Sequence, residues 1–488
     1  MRKLIKLSRS DKIRMRSPDK VKKVHLTGIK GVGMTALATY YQDMGMFVTG
    51  SDVPEAFVTD EILKKRNIGW SLGISKKHVK LGFDLLVTTA AHGGLENEEV
   101  KKAKQLKIPV LTYAEALAQA SLEKETICVC GVGGKTTTCS MLSVLLDTAG
   151  LNPSFLVGVG NIFPLGVSGR YVKEGRVFIC EADEYAVSPG VDNRPKFSLL
   201  KPKVIIATNI EYDHPDIYPD FEKTKETFLQ FFNKLGKYGY LLADADNKNT
   251  IEVAKKSDAY LITYGFEKSA DYRIKKVKYA EQRTSFDLYI KKKRLLVENL
   301  TINLPGEFNI RNAVAAFAVG DLLGVEQEIL VKGLRRYLGC RRRFEEMIFY
   351  KNARFYDDYA HHPSEIKATL QAAREWFPKR RIVAIFQPHT YSRTKALFEQ
   401  FAQSFADADV VALMDIYASA REKYDPTVSS KLLTEGVHKY NKNTHYVADQ
   451  KTTVAWVKTN VKAGDIVLTM GAGNIFHLYD LLKKNPVK

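Results

Sequence analysis

Gly131-Val132-Gly133-Gly134-Lys135-Thr136-Thr137-Thr138 follows the apolar run Thr126-Ile127-Cys128-Val129-Cys130 and opens an apolar-periodic segment that reaches Ala149. Strand, glycine turn and helix in that order build a phosphate cradle. Backbone N–H groups of Gly131, Gly133 and Gly134 converge on phosphate oxygens, and the helix N-terminus adds partial positive charge. Lys135 reaches the outer phosphates, and a hydroxyl of Thr136 or Thr137 can ligate Mg²⁺. The stretch therefore predicts an α/β sheet and a bound nucleoside triphosphate. The strict form of the loop places a glycine five residues before Gly134, where this chain has Val129, so the loop is a shortened variant.

Downstream, the strand Arg176-Val177-Phe178-Ile179-Cys180 ends at Glu181-Ala182-Asp183-Glu184, and Lys203-Val204-Ile205-Ile206-Ala207-Thr208 ends at Asn209-Ile210-Glu211-Tyr212-Asp213-His214. Open α/β sheets bind ligands at such C-terminal strand ends. A carboxylate there suits Mg²⁺, and His214 suits a second metal or acid/base work. Leu304-Pro305-Gly306-Glu307-Phe308-Asn309 then leads into a helix expected over 310–323, with Asn309 and Asn312 near its start.

Upstream, the strand Lys22–Thr27 runs into Gly28-Ile29-Lys30-Gly31-Val32-Gly33 and a helix from Met34, and a second strand, Met46–Thr49, ends at Gly50-Ser51-Asp52. An acid about twenty residues beyond the glycines is how a dinucleotide fold places its ribose contact. The glycines fall as GxxGxG, not GxGxxG, which leaves a Rossmann-like domain holding a diphosphate, with Asp52 near a ribose or base. Strands at 84–89 and 108–111 complete a parallel sheet. Beyond a hinge near Leu338, Gly339-Cys340-Arg341-Arg342-Arg343-Phe344 precedes the strand Arg354-Phe355-Tyr356 and Asp357-Asp358-Tyr359-Ala360-His361-His362-Pro363. A helix capped at Ser364, with Glu365 behind it, is expected next. Strands at 381–386, 409–414 and 465–470 end in Gln387-Pro388-His389, Asp415 and Gly471-Ala472-Gly473.

At 488 residues the chain predicts about three domains of roughly 150 residues each. No apolar run approaches the roughly 18 residues of a membrane span. Met1 to Lys23 carries ten Lys/Arg against two Asp with no apolar stretch after the charges, which reads as a disordered basic tail and not a signal peptide. The net charge of +19 favours anionic ligands, but the cations are spread without aromatic interleaving, so no specific nucleic acid is expected. Five cysteines without a CxxC pair read as small core residues of a reducing cytosol.

Two phosphate-type loops and a third region rich in Arg and His suggest two nucleotides and one more acceptor. An ATPase needs no second diphosphate loop, and an NAD enzyme needs no Lys135. A ligase that activates a carboxylate on a nucleotide-bearing substrate accounts for all three.

Gly28 to Ala38, Gly50-Ser51-Asp52, Gly131 to Thr138, Glu181 to Glu184, Asn209 to Tyr218, Arg342 to Glu345, Asp357 to Ile366, Phe386 to Lys395 and Gly471-Ala472-Gly473 together resemble the Mur ligase family, in its order, from about Lys22 to about Asp480. The closest branch adds L-alanine to UDP-N-acetylmuramic acid. The family's loop has a single glycine three residues before its GK pair, which accounts for Val129. The resemblance implies three α/β domains: a Rossmann-like UDP-sugar domain at 21–121, a P-loop ATP and Mg²⁺ domain at 122–337, and a Rossmann-like amino-acid domain at 338–488, after a tail over 1–20. It implies that Gly28, Gly31, Gly33, Met34, Ser51 and Asp52 bind the UDP-sugar, and that Lys135 contacts the β/γ-phosphates. Thr136, Glu181 and His214 would hold Mg²⁺, or Mn²⁺ in its place, with Glu184 a lesser candidate. Asn309 and Asp358 would contact the adenosine and Arg343 the transferring phosphoryl group. Tyr359, His361, His389 and Arg393 would line the place where L-alanine meets the muramoyl carboxylate, and His361 and His214 are both candidates for the base. The implied product is a peptidoglycan precursor, made through an acyl phosphate by a cytoplasmic monomer or homodimer without membrane insertion.

The chain departs from the family at Val132 and Gly133, where alanine-adding members have Thr and His, at Phe308, where a His precedes the Asn, and at Thr390, which is Arg in some relatives. Glu181-Ala182-Asp183-Glu184-Tyr185 is similar to the sister ligase that attaches a recycled tripeptide to the same sugar nucleotide, whereas Gln387-Pro388-His389 followed by Tyr391-Ser392-Arg393-Thr394 looks like the alanine branch. A non-catalytic nucleotide-binding module and an NAD-dependent oxidoreductase using the Gly28 loop remain the readings from other classes.

Overall fold

The computed structural model describes residues 21–214, 217–418 and 422–484, so the basic tail expected over 1–20 lies outside the described residues. The described residues build three large sheets and one two-stranded hairpin. The first has five parallel strands in the order Gly69–Leu72, Phe47–Asp52, Lys23–Thr27, Leu85–Thr88, Val110–Thr112. Strand order reverses between Lys23–Thr27 and Leu85–Thr88, so the ligand crevice of this sheet opens above Gly28. Four of the five strands follow the sequence expectation. Gly69–Leu72 does not, because an edge strand of four half-exposed residues carries too little alternation to stand out.

The second sheet has ten strands in the order Leu295–Ile302, Arg283–Ile290, Tyr272–Ala280, Tyr260–Gly265, Tyr240–Asp244, Val204–Ala207, Glu125–Cys130, Val177–Glu181, Ser154–Leu156, Gly169–Arg170. Glu125–Cys130, Val177–Glu181 and Val204–Ala207 run parallel at its centre, as the sequence predicts. The outlying meander from Tyr272 to Ile302 is antiparallel. Its strands present charged residues to solvent, which hides them from a search for apolar runs. The helix expected over 310–323 spans Glu307–Leu322, so Asn309 belongs to its first turn instead of preceding it.

The third sheet has six strands in the order Glu345–Tyr350, Ala353–Asp358, Ile466–Met470, Ile382–Phe386, Val410–Leu413, Thr444–Tyr446. All pair in parallel except the first. The helix after Asp358 spans Pro363–Trp376, and its cap is His362, not Ser364. The His362 ring nitrogen accepts from the Ser364 N–H, and the Glu365 carboxylate accepts from the N–H groups of His361 and His362. Pro363 supplies the preset first helical position.

The first and second sheets share one apolar core. Met34, Leu37 and Tyr40 of the helix Val32–Asp43 pack with Leu156, Phe178 and Cys180, and Thr39 Oγ1 donates to the Gly169 carbonyl at 2.8 Å. All five cysteines are free and buried, as expected of small core residues. Among the described residues, no helix is long and apolar enough to cross a membrane.

One buried polar network braces the first sheet. Glu99 accepts from Thr27 and Ser51 at 2.5 and 2.7 Å and pairs with His25 and His78 at 3.3 and 2.9 Å. Burial opposes its charge, but these partners outweigh it and hold its carboxyl at about 2. A depressed carboxyl stabilises the fold above the unfolded value and loses that contribution as pH falls through the folded one. We expect roughly 3 kcal/mol to be lost from pH 5 to pH 2 in wild type, and Glu99→Gln to flatten that slope in urea unfolding midpoints. An equally steep variant would refute the assignment.

Candidate active site

The strand Glu125–Cys130 delivers the phosphate loop to the centre of the second sheet, and the helix Lys135–Thr148 leaves it. Gly131 has φ +125° and Gly134 has φ +85°. A Cβ on Gly131 would lie 2.2 Å from Thr208 Oγ1, so only glycine fits there. The next strand end holds the loop in place. Thr208 Oγ1 donates to the Gly133 carbonyl at 2.6 Å, and the Gly133 N–H donates to Asn209 Oδ1 at 2.8 Å. Thr208 and Asn209 thereby tether the loop at the departures Val132 and Gly133.

Lys135 Nζ donates to the Gly131 carbonyl at 2.5 Å and lies 3.2 Å from Glu184 Oε2. Burial works against its charge, but Glu184, Asp183 and Glu181 together hold the ammonium above its ordinary value. Glu181 Oε1 accepts from the Gly158 N–H at 2.7 Å. Burial raises the Glu181 carboxyl in spite of Lys135 and Arg343. Glu184 is likewise raised by burial. His214 sits at φ +60° with its ring 4.6 Å from that of Tyr185 and its Nε2 3.5 Å from Asp213 Oδ2.

From the third sheet, Arg343 reaches across to the phosphate helix, its Nη2 donating to Thr136 Oγ1 at 3.4 Å. Arg342 beside it is buried, bonded to Asp357 at 2.8 Å and to the Gly471 carbonyl at 2.6 Å. Asp358 accepts from the N–H groups of Phe344 and Ala360, both at 2.8 Å, and burial raises its carboxyl to about 6. Burial also lowers His361, whose Nδ1 is 3.3 Å from Glu365, so its imidazole is neutral and able to accept a proton near pH 7. Arg393 faces Asp213 across the cleft at 3.8 Å. The His389 ring lies 6.5 Å from that of His361 and stacks on Tyr417.

These groups surround one cavity of about 870 Å³ lined by all three regions. Gly31, Gly33, Met34, Gly133, Gly134, Lys135, Thr136, Glu181, His214, Arg343, Tyr359 and His361 line it, as do Asp183, Glu184, Lys196 and Glu365. Gly28, Ser51 and Asp52 stand behind the diphosphate loop. The Gly28 N–H donates to the Ser51 carbonyl at 2.8 Å, and Asp52 accepts from the Lys30 N–H at 2.7 Å. Asn309, Asp358, His389 and Arg393 lie outside the lining; the Asn309 amide donates to the Pro305 carbonyl at 2.7 Å. Lys196 carries no local sequence motif for the site, because its place depends on contacts between distant segments.

Among the described residues, no three His, Cys, Asp or Glu side chains stand together as a metal cage. Thr136 and Glu181 both line the cavity, and these oxygens fit a divalent ion that takes most of its ligands from phosphate and water.

Comparison with known proteins follows the same three pieces. The family models described as Mur ligase family, catalytic domain; Mur ligase middle domain; and Mur ligase, glutamate ligase domain match residues 23–125, 129–320 and 342–473. The UDP-N-acetylmuramate–L-alanine ligase of Caldanaerobacter subterraneus subsp. tengcongensis is 38% identical, over 94% of this chain and 97% of its own length. That of Syntrophotalea carbinolica is 36% identical over 95% and 98%. The crystal structure of the UDP-N-acetylmuramate-alanine ligase of Thermotoga maritima superposes with a TM-score of 0.76 at 25% identity, covering 95% of this chain and 98% of that one. With its three sheets, its shared cavity and relatives matched end to end, the chain belongs to the Mur ligase family.

Proposed function

We propose that this enzyme joins L-alanine to the carboxylate of UDP-N-acetylmuramic acid with ATP as the energy source. The observation that carries the proposal is a single cavity in which the diphosphate loop, the phosphate loop and Arg343 converge. The carboxylate attacks the γ-phosphorus, giving an acyl phosphate and ADP. The alanine amine then attacks the acyl carbon, and phosphate leaves. Two anions must meet in the first step, and Lys135 and Arg343 offset the charge on the phosphoryl oxygens. Thr136 and Glu181, with His214 at the border, would hold Mg²⁺, which when bound supplies further neutralisation of the phosphates. His361, whose Nδ1 is held by the Tyr359 carbonyl at 3.0 Å and lies 3.3 Å from Glu365, would take the amine proton. Closure of the three regions around the acyl phosphate would keep out water that hydrolyses it.

The segment Glu181-Ala182-Asp183-Glu184-Tyr185, similar to the recycling branch, favours a second reading, the tripeptide-recycling ligase. Mass spectrometry of the product from ATP, UDP-N-acetylmuramic acid and a mixture of small amino acids and tripeptide decides between them. The expected product is the alanyl adduct. Dominant tripeptide adduct would move the assignment to the recycling branch, and no amide would overturn both.

A further inference from the structure

The segment after Glu184 forms a hairpin, Ala186–Ser188 against Asp192–Pro195. Its base is closed by the Lys196 N–H donating to the Tyr185 carbonyl at 2.9 Å and the Phe197 N–H to the Asp183 carbonyl at 3.0 Å. Phe197 is buried edge-on against Phe231 at 4.3 Å, which anchors the far end. The tip leans on the first domain: Ser188 Oγ lies 3.3 Å from where a Cβ on Gly94 would stand. Lys196 therefore enters the cavity from a rigid mount.

Each cavity cation has a different engagement. Lys135 is held by Glu184 and the phosphate loop, Arg341 by Glu61 and Glu345, Arg342 by Asp357, and Arg343 faces Thr136. Lys196 Nζ gives one donor to Asp183 at 2.6 Å and lies over the Tyr185 ring. An ammonium has three donors, so Lys196 retains capacity for a ligand. Its position is also distinctive. Lys196 and Asp183 line the same cavity as Gly31 and Gly33 of the sugar-nucleotide loop and Gly134 and Lys135 of the phosphate loop, the space in which an acceptor carboxylate must lie to reach a γ-phosphate.

We propose that Lys196, mounted on this hairpin, binds the acceptor carboxylate of the sugar nucleotide and selects substrates that carry one. The inference rests on the ligase reading above. It supplies the carboxylate with its own counter-charge, separate from the lysine and arginine that serve the phosphates.

The test compares binding of UDP-N-acetylmuramic acid and UDP-N-acetylglucosamine, which lacks the lactyl carboxylate, to the full chain by calorimetry. Lys196→Gln is expected to weaken the first about tenfold or more, the scale of a lost charge-assisted hydrogen bond, and to change the second less than twofold. Lys196→Arg keeps a cation and should retain most of the discrimination. In turnover, the KM for the sugar nucleotide should rise in Lys196→Gln while that for ATP holds. Equal weakening of both sugars, or no weakening of either, overturns the proposal. Amide formation by wild type is scored separately, so failure of the ligase reading is distinguishable from failure of Lys196.

Discussion

Lys135→Ala is expected to lower kcat about 10³-fold or more, the scale seen when a preorganised cation is removed from a phosphoryl-transfer site. The ammonium is pinned on both sides, by the Gly131 carbonyl at 2.5 Å and by Glu184 at 3.2 Å, so its position is set before ATP arrives. Its loss also leaves Glu184 and Asp183 beside incoming phosphates with less counter-charge. ATP affinity should therefore fall along with turnover. Lys135→Arg should not rescue, since the guanidinium fork does not fit a loop closed by Thr208 and Asn209. Phosphate release under saturating substrates is the measurement, and a variant within tenfold of wild type would refute the role.

Arg342→Ala is expected to destabilise the third domain by about 3–5 kcal/mol. Asp357, with no exposed surface, would keep a buried charge without its partner, and the carbonyls of Gly471 and Gly473 would lose donors. Those carbonyls close the loop after Ile466–Met470, so the damage should concentrate there and at Ala353–Asp358. The exposed pair of Arg341 with Glu61 is a contrast: Glu61 is 77% exposed, and Glu61→Ala, which leaves Arg341 on Glu345, should cost about 1 kcal/mol or less. Urea unfolding with hydrogen exchange on these strands reads both effects. Near-equal stabilities of the two variants would show that Arg342 does not brace the third domain.

The legible parts of the fold were those with a local signature. Strand Glu125–Cys130, its glycine turn and the helix behind it declared themselves through one continuous pattern, and so did Val177–Glu181 and Val204–Ala207. The meander over Tyr272–Ile302 did not, because one strand sets buried Ile274 near exposed Lys276 and Lys278 and the next sets buried Phe286 and Leu288 beside half-buried Ser285 and Tyr289, and edge pairing leaves part of each strand in water. The cap of the helix Pro363–Trp376 was misplaced by two residues for a related reason: the capping acceptor is a histidine ring, a role usually filled by Ser, Thr, Asp or Asn.

The sequence by itself determined which residues could meet a phosphate, since Gly131 to Thr136 and Gly28 to Met34 act through backbone geometry built by their immediate neighbours. Tertiary structure alone decided what those residues meet. Lys135 finds Glu184 across 49 positions, Arg342 finds the Gly471 carbonyl across 129, and Thr39 ties the first domain to Gly169 across 130. Charge balance in the cavity is the sum of such long-range encounters, each decided by how the three sheets pack. Lys196 shows the difference most clearly: it is one lysine among many along the chain, and a cavity cation only once the hairpin carries it there.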